Sequence, residues 1–396
     1  MPIELKQGVY WVGVVDWSLR HFHGHELSTQ RGSSYNSYLI KDQKTVLVDT
    51  VWGPYSREFI SNLRQVVDPA KIDIIVANHA EPDHSGAMPE LMRLCPNATV
   101  VVSKRGMDSM PGHYHAKWNF RAVTTGERIN IGSGDLVFIE APMLHWPDSM
   151  FTYLTGRNIL MSNDAFGQHL ASAYRFNDEV DPDELLWEAL KYYANILSPF
   201  SDQVLRKIPE VLAMNLPVDV IAPSHGIIWR KDPLQIVHRY QQWAAQAGEK
   251  RAVIVYDTMW DATRKMAQAL AEGLVEKNVP CKLHYMPVSD RNDVLTEIFQ
   301  AKGLAVGSST INRNLLPSIT TVLDDVRGLK FKNKVAAAFG SFGWSGECVK
   351  VIEEHFAKCA IPTAGPGVAA KWQPTTDDLD KCRALGRQMA EAILKD

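Results

Sequence analysis

One short segment concentrates four side chains that can bind a metal ion. It reads HAEPDH over residues 79–84, which places possible ligands at His79, Glu81, Asp83 and His84. The segment directly follows the apolar run Ile72–Ala77, and a buried charge must be paired or bound to a metal. We expect an extended loop that projects positions 79, 81 and 83 from one side. The segment therefore predicts a metal site.

Three further candidate ligands stand where other predicted strands end. His145 follows the run LVFIEAP, Asp164 follows ILMS, and His225 follows VDVIAP. Strand ends at one edge of a layered fold converge, so distant positions in the chain can share a site. A lone histidine after a strand is more often capped or packed than a ligand. The combination with residues 79–84 nevertheless predicts a centre built from imidazoles and carboxylates.

A second group of residues is typical of a phosphate-binding site. The turn TMWDAT, residues 258–263, follows the run AVIVY and precedes a predicted helix, so backbone N–H groups and the helix dipole would face an anion. The ordinary alternative is a helix N-cap at Thr258 or Thr263. Two later turns, GSSTIN and GSFGWSG, favour ligand binding because glycine permits close backbone approach and a tryptophan offers a ring face. The candidate binding residues are Thr258, Met259, Trp260, Asp261, Ala262, Thr263, Ser308, Ser309, Thr310, Asn312, Ser341, Phe342, Gly343, Trp344, Ser345 and Gly346.

The elements that position the metal ligands are predicted within residues 1–248. This region mixes helices such as Arg57–Val67 and Asp183–Ile196 with short β-branched strands. The predicted strands are Thr45–Asp49, Ile72–Ala77, Thr99–Val102, Leu136–Glu140, Ile159–Ser162 and Val218–Ala222. A polar, glycine-containing segment at residues 247–250 marks the predicted domain boundary.

Residues 249–396 show regular β-α alternation instead. Predicted strands are Ala252–Tyr256, Lys282–Met286, Gly303–Val306 and Lys334–Phe339. Predicted helices are Thr263–Lys277, Asp293–Gln300, Leu316–Val326 and Asp377–Leu394. Alternation of this kind indicates right-handed crossovers and a doubly wound parallel sheet.

Length and composition set the class of protein. The chain has 396 residues, enough for two domains, with 45 % hydrophobic and 22 % charged residues, as in globular proteins. The net charge of −3 argues against nucleic acid as a partner. We find neither a signal peptide nor an apolar run near the roughly 18 residues of a membrane span. Five scattered cysteines without a C-x-x-C pair predict reduced thiols and a cytoplasmic location.

Over essentially its whole length the chain resembles the flavodiiron proteins, on the pattern H-x-E-x-D-H followed by His, Asp and His. The resemblance implies an α/β and α+β protein: an N-terminal metallo-β-lactamase-like αββα sandwich, then a flavodoxin-like doubly wound parallel sheet. It implies two iron ions, one on His79, Glu81 and His145 and the other on Asp83, His84 and His225, with Asp164 as the bridge. Zinc members of the fold usually carry histidine where Glu81 stands, and an anionic oxygen ligand favours iron.

The resemblance also implies FMN in the second domain, held by the three turns. One departure is Asp261, since a carboxylate beside a phosphate is unfavourable unless it points away or pairs, for example with Arg264. The stretches RGSSYNSYLI, LHWPDSM and YYANIL are similar to the flavorubredoxin branch, known as nitric oxide reductases. That branch carries a rubredoxin domain whose two C-x-x-C pairs this chain lacks. Either a separate rubredoxin-type donor serves the protein, or the chain is the core of a longer one.

The leading hypothesis is a redox enzyme that reduces nitric oxide to nitrous oxide, or dioxygen to water, with a lean towards nitric oxide. The resemblance implies that Tyr193 and His25 supply or position protons. It also implies a head-to-tail homodimer, or a homotetramer, in which one subunit's FMN faces the irons of the other. The alternatives are a two-zinc hydrolase of the lactamase type and a flavin-only electron carrier.

Overall fold

The computed structural model describes residues Met1–Lys395 and divides into two compact units. The first unit comprises Met1–Tyr193 and Phe200–Ala244. The second comprises Ala194–Pro199 and the residues from Ala245 onward. The division after Ala244 lies close to the predicted boundary at residue 248, whereas the assignment of Ala194–Pro199 to the second unit was not foreseen.

The first unit contains sixteen strands and seven helices among the described residues. The strands are β1 Ile3–Lys6, β2 Val9–Trp11, β3 Val14–Asp16, β4 His21–Phe22, β5 Leu27–Ser28, β6 Ser33–Tyr35, β7 Tyr38–Lys41, β8 Thr45–Val48, β9 Ile74–Ala77, β10 Thr99–Ser103, β11 Asn119–Val123, β12 Arg128–Asn130, β13 Asp135–Glu140, β14 Met150–Leu154, β15 Ile159–Asn163 and β16 Val220–Pro223. The helices are α1 Ser56–Arg64, α2 Pro82–Ser85, α3 Met88–Leu91, α4 Gly106–Tyr114, α5 Pro182–Tyr192, α6 Ser201–Ala213 and α7 Leu234–Ala245.

Two sheets form the inner layers of this unit. One has the order β1-β2-β7-β8-β9-β10-β11 and the other the order β12-β13-β14-β15-β16. Buried side chains from both sheets, among them Val76 and Phe138, share one apolar core. The opposite face of the longer sheet packs against Phe59 of α1 and Leu91 of α3 in a second core. The predicted αββα sandwich is confirmed.

Local sequence explains where helix α5 begins, and the structure shows where it ends. The side chain of Asp181 accepts a hydrogen bond from the Glu184 N–H at 2.8 Å, and Pro182 suits the first turn of α5. The predicted helix Asp183–Ile196 is too long, because α5 ends at Tyr192 and a π-helical turn, Tyr193–Leu197, follows. Single π-helical turns are frequent at functional sites.

The second unit contains six strands and five helices among the described residues. They are β17 Glu249–Tyr256, α8 Ala262–Val275, β18 Cys281–Tyr285, α9 Arg291–Gln300, β19 Ala301–Ile311, β20 Asn314–Leu315, α10 Pro317–Gly328, β21 Val335–Phe342, α11 Cys348–Lys358, β22 Val368–Lys371 and α12 Thr376–Leu394. The parallel strands follow the order β18-β17-β19-β21-β22, with β20 antiparallel to β19. Helices α8 and α12 contribute Leu270 and Leu385 to one core with the sheet. This is the flavodoxin order, and the predicted doubly wound sheet is confirmed.

Candidate metal centre and flavin site

The backbone of residues 79–84 changes direction at Pro82. Glu81 is extended, with φ −55° and ψ 138°, and Pro82 starts the short helix α2 because its fixed φ suits a first helical turn. The prediction of one extended loop with positions 79, 81 and 83 on one side was therefore wrong. His79 and Glu81 face one group of ligand atoms, and Asp83 and His84 face a second.

The first group consists of His79, Glu81, His145 and Asp164, whose possible ligand atoms all lie within 4.8 Å of one another. His79 Nε2 and His145 Nε2 lie 3.1 and 3.4 Å from Glu81 Oε2. Asp164 Oδ2 lies 3.4 Å from His145 Nε2 and 3.8 Å from His79 Nε2. Three of the four residues are buried, and His145 is nearly so.

The second group consists of Asp83, His84 and His225, all of them buried. Asp83 Oδ2 lies 3.0 Å from His225 Nε2 and 3.3 Å from His84 Nε2. Asp164 Oδ1 lies 2.9 Å from His84 Nε2 and 3.5 Å from His225 Nε2. The two oxygens of Asp164 thus face different groups. The structure brings all seven predicted ligands together, with Asp164 between the two sets.

The charges of the cluster interact strongly. Burial opposes a charge on His84 and His145, but neighbouring carboxylates, with Asp164 foremost, outweigh burial and raise the pKa of both imidazoles to about 9. Burial likewise favours a neutral Asp164, yet the surrounding histidines hold the pKa of Asp164 well below its usual range. Asp164 is therefore ionised, and the protons on His84 and His145 occupy the place that metal cations can take.

Groups behind the ligands fix which nitrogen faces the centre. His79 Nδ1 lies 3.1 Å from Asp148 Oδ1, and the second oxygen of Asp148 accepts a hydrogen bond from the Ala80 N–H at 2.9 Å. His225 Nδ1 lies 2.8 Å from the backbone oxygen of Ser34 and donates to it. In both histidines Nε2 is left for a metal, the usual arrangement around metal-bound imidazoles.

The contacts described for the predicted proton-handling residues Tyr193 and His25 lie away from the ligands, whereas their neighbours contact the ligands directly. The hydroxyl of Tyr193 lies 3.1 Å from Ser201 Oγ, while that of Tyr192 donates to Asp164 Oδ1 at 2.9 Å. His25 is exposed, whereas His23 Nε2 lies 2.8 Å from Glu81 Oε1. Sequence reasoning missed Tyr192, which lies one position before the predicted Tyr193, and His23, which lies two positions before the predicted His25. The helix that ends at Tyr192 and the turn geometry at His23 could not be read from residue types.

The buried His169 was also missed in the sequence. Its Nδ1 lies 2.9 Å from Ser33 Oγ, and its ring centroid lies 5.0 Å from that of His225 and 5.2 Å from that of Tyr192. Burial, followed by the charge of His225, holds the pKa of His169 well below its ordinary value. This histidine is therefore neutral and packs behind the centre.

The residues fit two iron ions. Asp83 Oδ1 and Asp164 Oδ2 are buried and accept no hydrogen bond, which is costly unless a cation satisfies them. The donors are imidazole nitrogens and carboxylate oxygens, a set that suits iron. A cavity of about 420 Å³ reaches Glu81 and Asp83 and gives the centre room for a small molecule.

In the second unit, three hydroxyl groups from separate elements meet beside the start of α8. Thr263 Oγ1 lies 3.1 Å from Ser309 Oγ and 3.0 Å from Ser341 Oγ, and the two serine oxygens are 2.9 Å apart. Ser309 Oγ also accepts a hydrogen bond from the Met259 N–H at 3.1 Å. These hydroxyls and the helix N-terminus form a site suited to a phosphate.

A cavity of about 570 Å³ lies beside these hydroxyls. Eleven of the sixteen predicted residues line it: Met259, Trp260, Ala262, Ser309, Thr310, Asn312, Ser341, Phe342, Gly343, Trp344 and Ser345. Arg313, Trp372 and Gln373 also line it, and sequence reasoning missed these three. Trp344 and Trp260 are 93 % and 87 % exposed, so both rings are free to cover a bound aromatic ligand.

The other five predicted flavin residues, which are Thr258, Asp261, Thr263, Ser308 and Gly346, are not among the residues that line this cavity. Thr258 Oγ1 accepts a hydrogen bond from the Thr263 N–H at 3.1 Å, and Ser308 Oγ accepts one from the Leu316 N–H at 3.0 Å. Asp261 is exposed, and its Oδ1 lies 3.7 Å from Arg264 Nη1, which is the ion pair that the sequence suggested. A β-carbon on Gly346 would meet the Phe342 ring at 2.9 Å, so this glycine permits the turn to close.

Comparison with known proteins agrees with both sites. The family model described as ODP family beta lactamase matches residues 34–226, and the Flavodoxin model matches residues 254–386. The chain is 50 % identical over 394 residues to a nitric oxide reductase of Moorella thermoacetica, covering 99 % of each chain. It is also 50 % identical to an anaerobic nitric oxide reductase flavorubredoxin of Escherichia coli O1:K1, covering 98 % of this chain and 82 % of the relative.

Solved structures show the same architecture. The rubredoxin oxygen:oxidoreductase from the anaerobe Desulfovibrio gigas superposes with a TM-score of 0.97 at 36 % identity, covering 99 % of this chain and 98 % of that one. The flavodiiron protein from Giardia intestinalis gives 0.95 at 35 % identity, covering 100 % and 97 %. The chain belongs to the flavodiiron proteins. It is an oxidoreductase of the FMN and di-iron type.

Proposed function

We propose that this protein reduces nitric oxide to nitrous oxide and dioxygen to water, with nitric oxide as the principal substrate. The observation that carries the proposal is the placement of Asp164, whose two oxygens face two separate ligand groups. The nitric oxide reductase names of the relatives from Moorella thermoacetica and Escherichia coli favour this substrate. The name of the Desulfovibrio gigas enzyme supports oxygen as a second one.

The chain's own residues give this chemistry its setting. When bound, two irons would supply redox-active cations that can take up a diatomic gas, and FMN would supply electrons. Asp164 holds the two sites close together, and the Tyr192 hydroxyl directs a hydrogen bond at one of its oxygens. Both reductions consume protons. His23 connects Glu81 to the surface, and His169 leaves a neutral ring behind His225.

The substrate assignment is tested by measuring kcat/KM for each gas with a reduced rubredoxin as donor. Nitric oxide should give nitrous oxide, and dioxygen should give water. Dioxygen turnover that exceeds nitric oxide turnover tenfold, a difference of about 1.4 kcal/mol in barrier, would refute the preference. Metal analysis tests the class of reaction, because zinc in place of about two irons per chain would indicate hydrolysis instead.

We infer further that the working assembly is a head-to-tail homodimer, alone or within a tetramer, in which the FMN of one subunit serves the irons of the other. The division of the chain into two units, each with one cofactor site, supports this arrangement. Mixing two inactive variants tests it: one that binds no iron, Asp164→Ala, and one with a weakened flavin site. Mixed dimers should regain activity, since one intact flavin would face one intact iron pair. Mixtures as inactive as their components would contradict the exchange between subunits.

A rubredoxin-type donor and a cytoplasmic location complete the proposal. No helix within residues 1–395 has the length and apolar character to cross a membrane. The name of the Desulfovibrio gigas enzyme includes rubredoxin, which supports that class of donor. The location remains a prediction from cysteine usage, and fractionation of cells that express the protein would test it.

A further inference from the structure

A hairpin above the metal cluster carries three histidines at alternate positions. Strands β4 and β5 pair antiparallel, with Phe22 opposite Leu27, and the turn between them uses positive φ angles at His23 and Gly24. His21 and His25 are exposed, and the proposed reaction uses neither of them. Their ring centroids lie 5.0 Å apart at an interplanar angle of 63°. The hairpin therefore holds two imidazoles together at the surface.

The spacing of this pair matches that of the histidines inside the cluster. His84 and His225, which belong to the same ligand group, have ring centroids 4.9 Å apart. His79 and His145, which share the other group, are 5.6 Å apart. The two rings of the hairpin are thus as close together as the paired histidines of each ligand group. Imidazole suits zinc, copper, nickel and iron, and water can fill the other positions at an exposed site.

The position of the pair gives it a route to the centre. His21 and His23 line the cavity of about 420 Å³ that also touches Glu81 and Asp83. His23 follows inward, with Nε2 at 2.8 Å from Glu81 Oε1. One histidine of the pair, His21, thus shares a cavity with His23 and with Glu81 of the first ligand group.

We propose that His21 and His25 form a further, exchangeable site for a divalent transition-metal cation, where iron(II) binds before it passes His23 to Glu81. The transfer is a ligand exchange, so no electron moves and protons displaced from imidazoles leave to water. The loading role rests on iron as the resident metal of the proposed function. Metal binding by the hairpin itself does not depend on the proposed function.

Binding is tested first, on the iron-loaded protein with zinc(II) as the probe. Wild type should bind one additional zinc per chain, and the double variant His21→Gln/His25→Gln should bind it at least about tenfold more weakly. His238→Gln, which removes an exposed histidine from α7, is the matched control and should behave as wild type. Equal zinc affinity in the double variant would overturn the site. Circular dichroism and the melting temperature should be unchanged, because both histidines are exposed.

Loading is tested on protein stripped of iron with a chelator and returned to iron(II) without oxygen. The double variant should reach the same final iron content as wild type, but about fivefold more slowly at limiting iron. Loading at the wild-type rate would overturn the proposal even if zinc binds. A protein that binds zinc and loads iron in this way yet reduces neither gas would contradict the proposed function alone.

Discussion

Asp49 holds Asn78 at two points: Asp49 Oδ1 accepts the Asn78 N–H at 2.8 Å, and Asp49 Oδ2 accepts the Asn78 side-chain amide at 3.1 Å. Asp49 Oδ2 also lies 3.3 Å from the side-chain nitrogen of Asn163. Asn78 and Asn163 directly precede the ligands His79 and Asp164. Burial raises the pKa of Asp49, and these hydrogen bonds oppose that shift. One buried carboxylate therefore joins two strand ends that carry ligands.

We expect Asp49→Asn to lower iron affinity by about tenfold, because the amide replaces a charged acceptor with a mixture of donor and acceptor. The cost to folding should be roughly 1–3 kcal/mol, as for a buried group that loses its partner. Iron per chain after dialysis and denaturant unfolding measure the two effects. Asp42→Asn is the control. Asp42 lies in the turn before strand β8, at the opposite end of that strand from Asp49, and its Oδ2 lies 3.2 Å from Arg157 Nη1. Equal iron loss in both variants would show that the effect is general destabilisation.

Tyr192→Phe should slow gas reduction by roughly tenfold at unchanged iron content, since it removes the hydroxyl that donates to Asp164. Tyr193→Phe should retain activity, because its hydroxyl contacts Ser201 instead. Steady-state turnover and metal analysis of both variants distinguish the neighbouring tyrosines. A larger loss in Tyr193→Phe would restore the assignment that the family resemblance implies.

The iron-free protein should lose stability as pH rises through about 9. The pKa of His84 and of His145 is raised to about 9 in the folded chain. Their positive charges therefore stabilise the folded state fully at a pH below the ordinary histidine pKa, and this stabilisation is lost as the pH rises through about 9. Each unit of pKa corresponds to about 1.4 kcal/mol, which sets an expected loss on the order of 1–3 kcal/mol. Urea unfolding at pH 7 and about pH 9.5 measures it.

Iron-loaded protein provides the contrast for this pH dependence. Its stability should not fall over the same range, because deprotonated imidazoles bind metal more tightly. Acid should act in the opposite direction on the iron-free chain. Since the pKa of Asp164 is held below its ordinary value, its stabilising charge is present above that value and is lost as pH falls. Identical pH profiles with and without iron would contradict the exchange of protons for metal.

Thr263→Val should weaken FMN binding by about tenfold, because it removes the hydroxyl that joins Ser309 and Ser341 beside the helix N-terminus. Fluorescence titration of flavin-free protein gives the dissociation constant. Thr321→Val on α10 is a matched control, since its exposed hydroxyl donates only to the backbone of its own helix at Pro317 among its described hydrogen bonds. A Thr263 variant with wild-type affinity would remove this hydroxyl from the phosphate site.

Much of the architecture could be predicted from local pattern. Strands β8, β9, β10, β13, β15 and β16 lie within two residues of their predicted bounds, because short β-branched runs bounded by polar residues favour strands wherever they pack. The buried strand β14 was not predicted, since its residues Met150–Leu154 lack the alternation that marks a half-buried strand. Helix α11 was not predicted either, although its buried residues Val349, Ile352 and Phe356 follow helical spacing.

By itself, the sequence determined the ligand types. Four ionisable groups after an apolar strand require a partner of opposite charge, and their identities favour iron. Only the tertiary structure decided that Pro82 divides residues 79–84 between two groups. It also decided that Tyr192 and His23 contact the ligands directly. Burial and periodicity follow from residue type and are visible locally. Which atom of a side chain meets which partner depends on how strands that are distant in sequence end beside each other, and no local pattern contains that information.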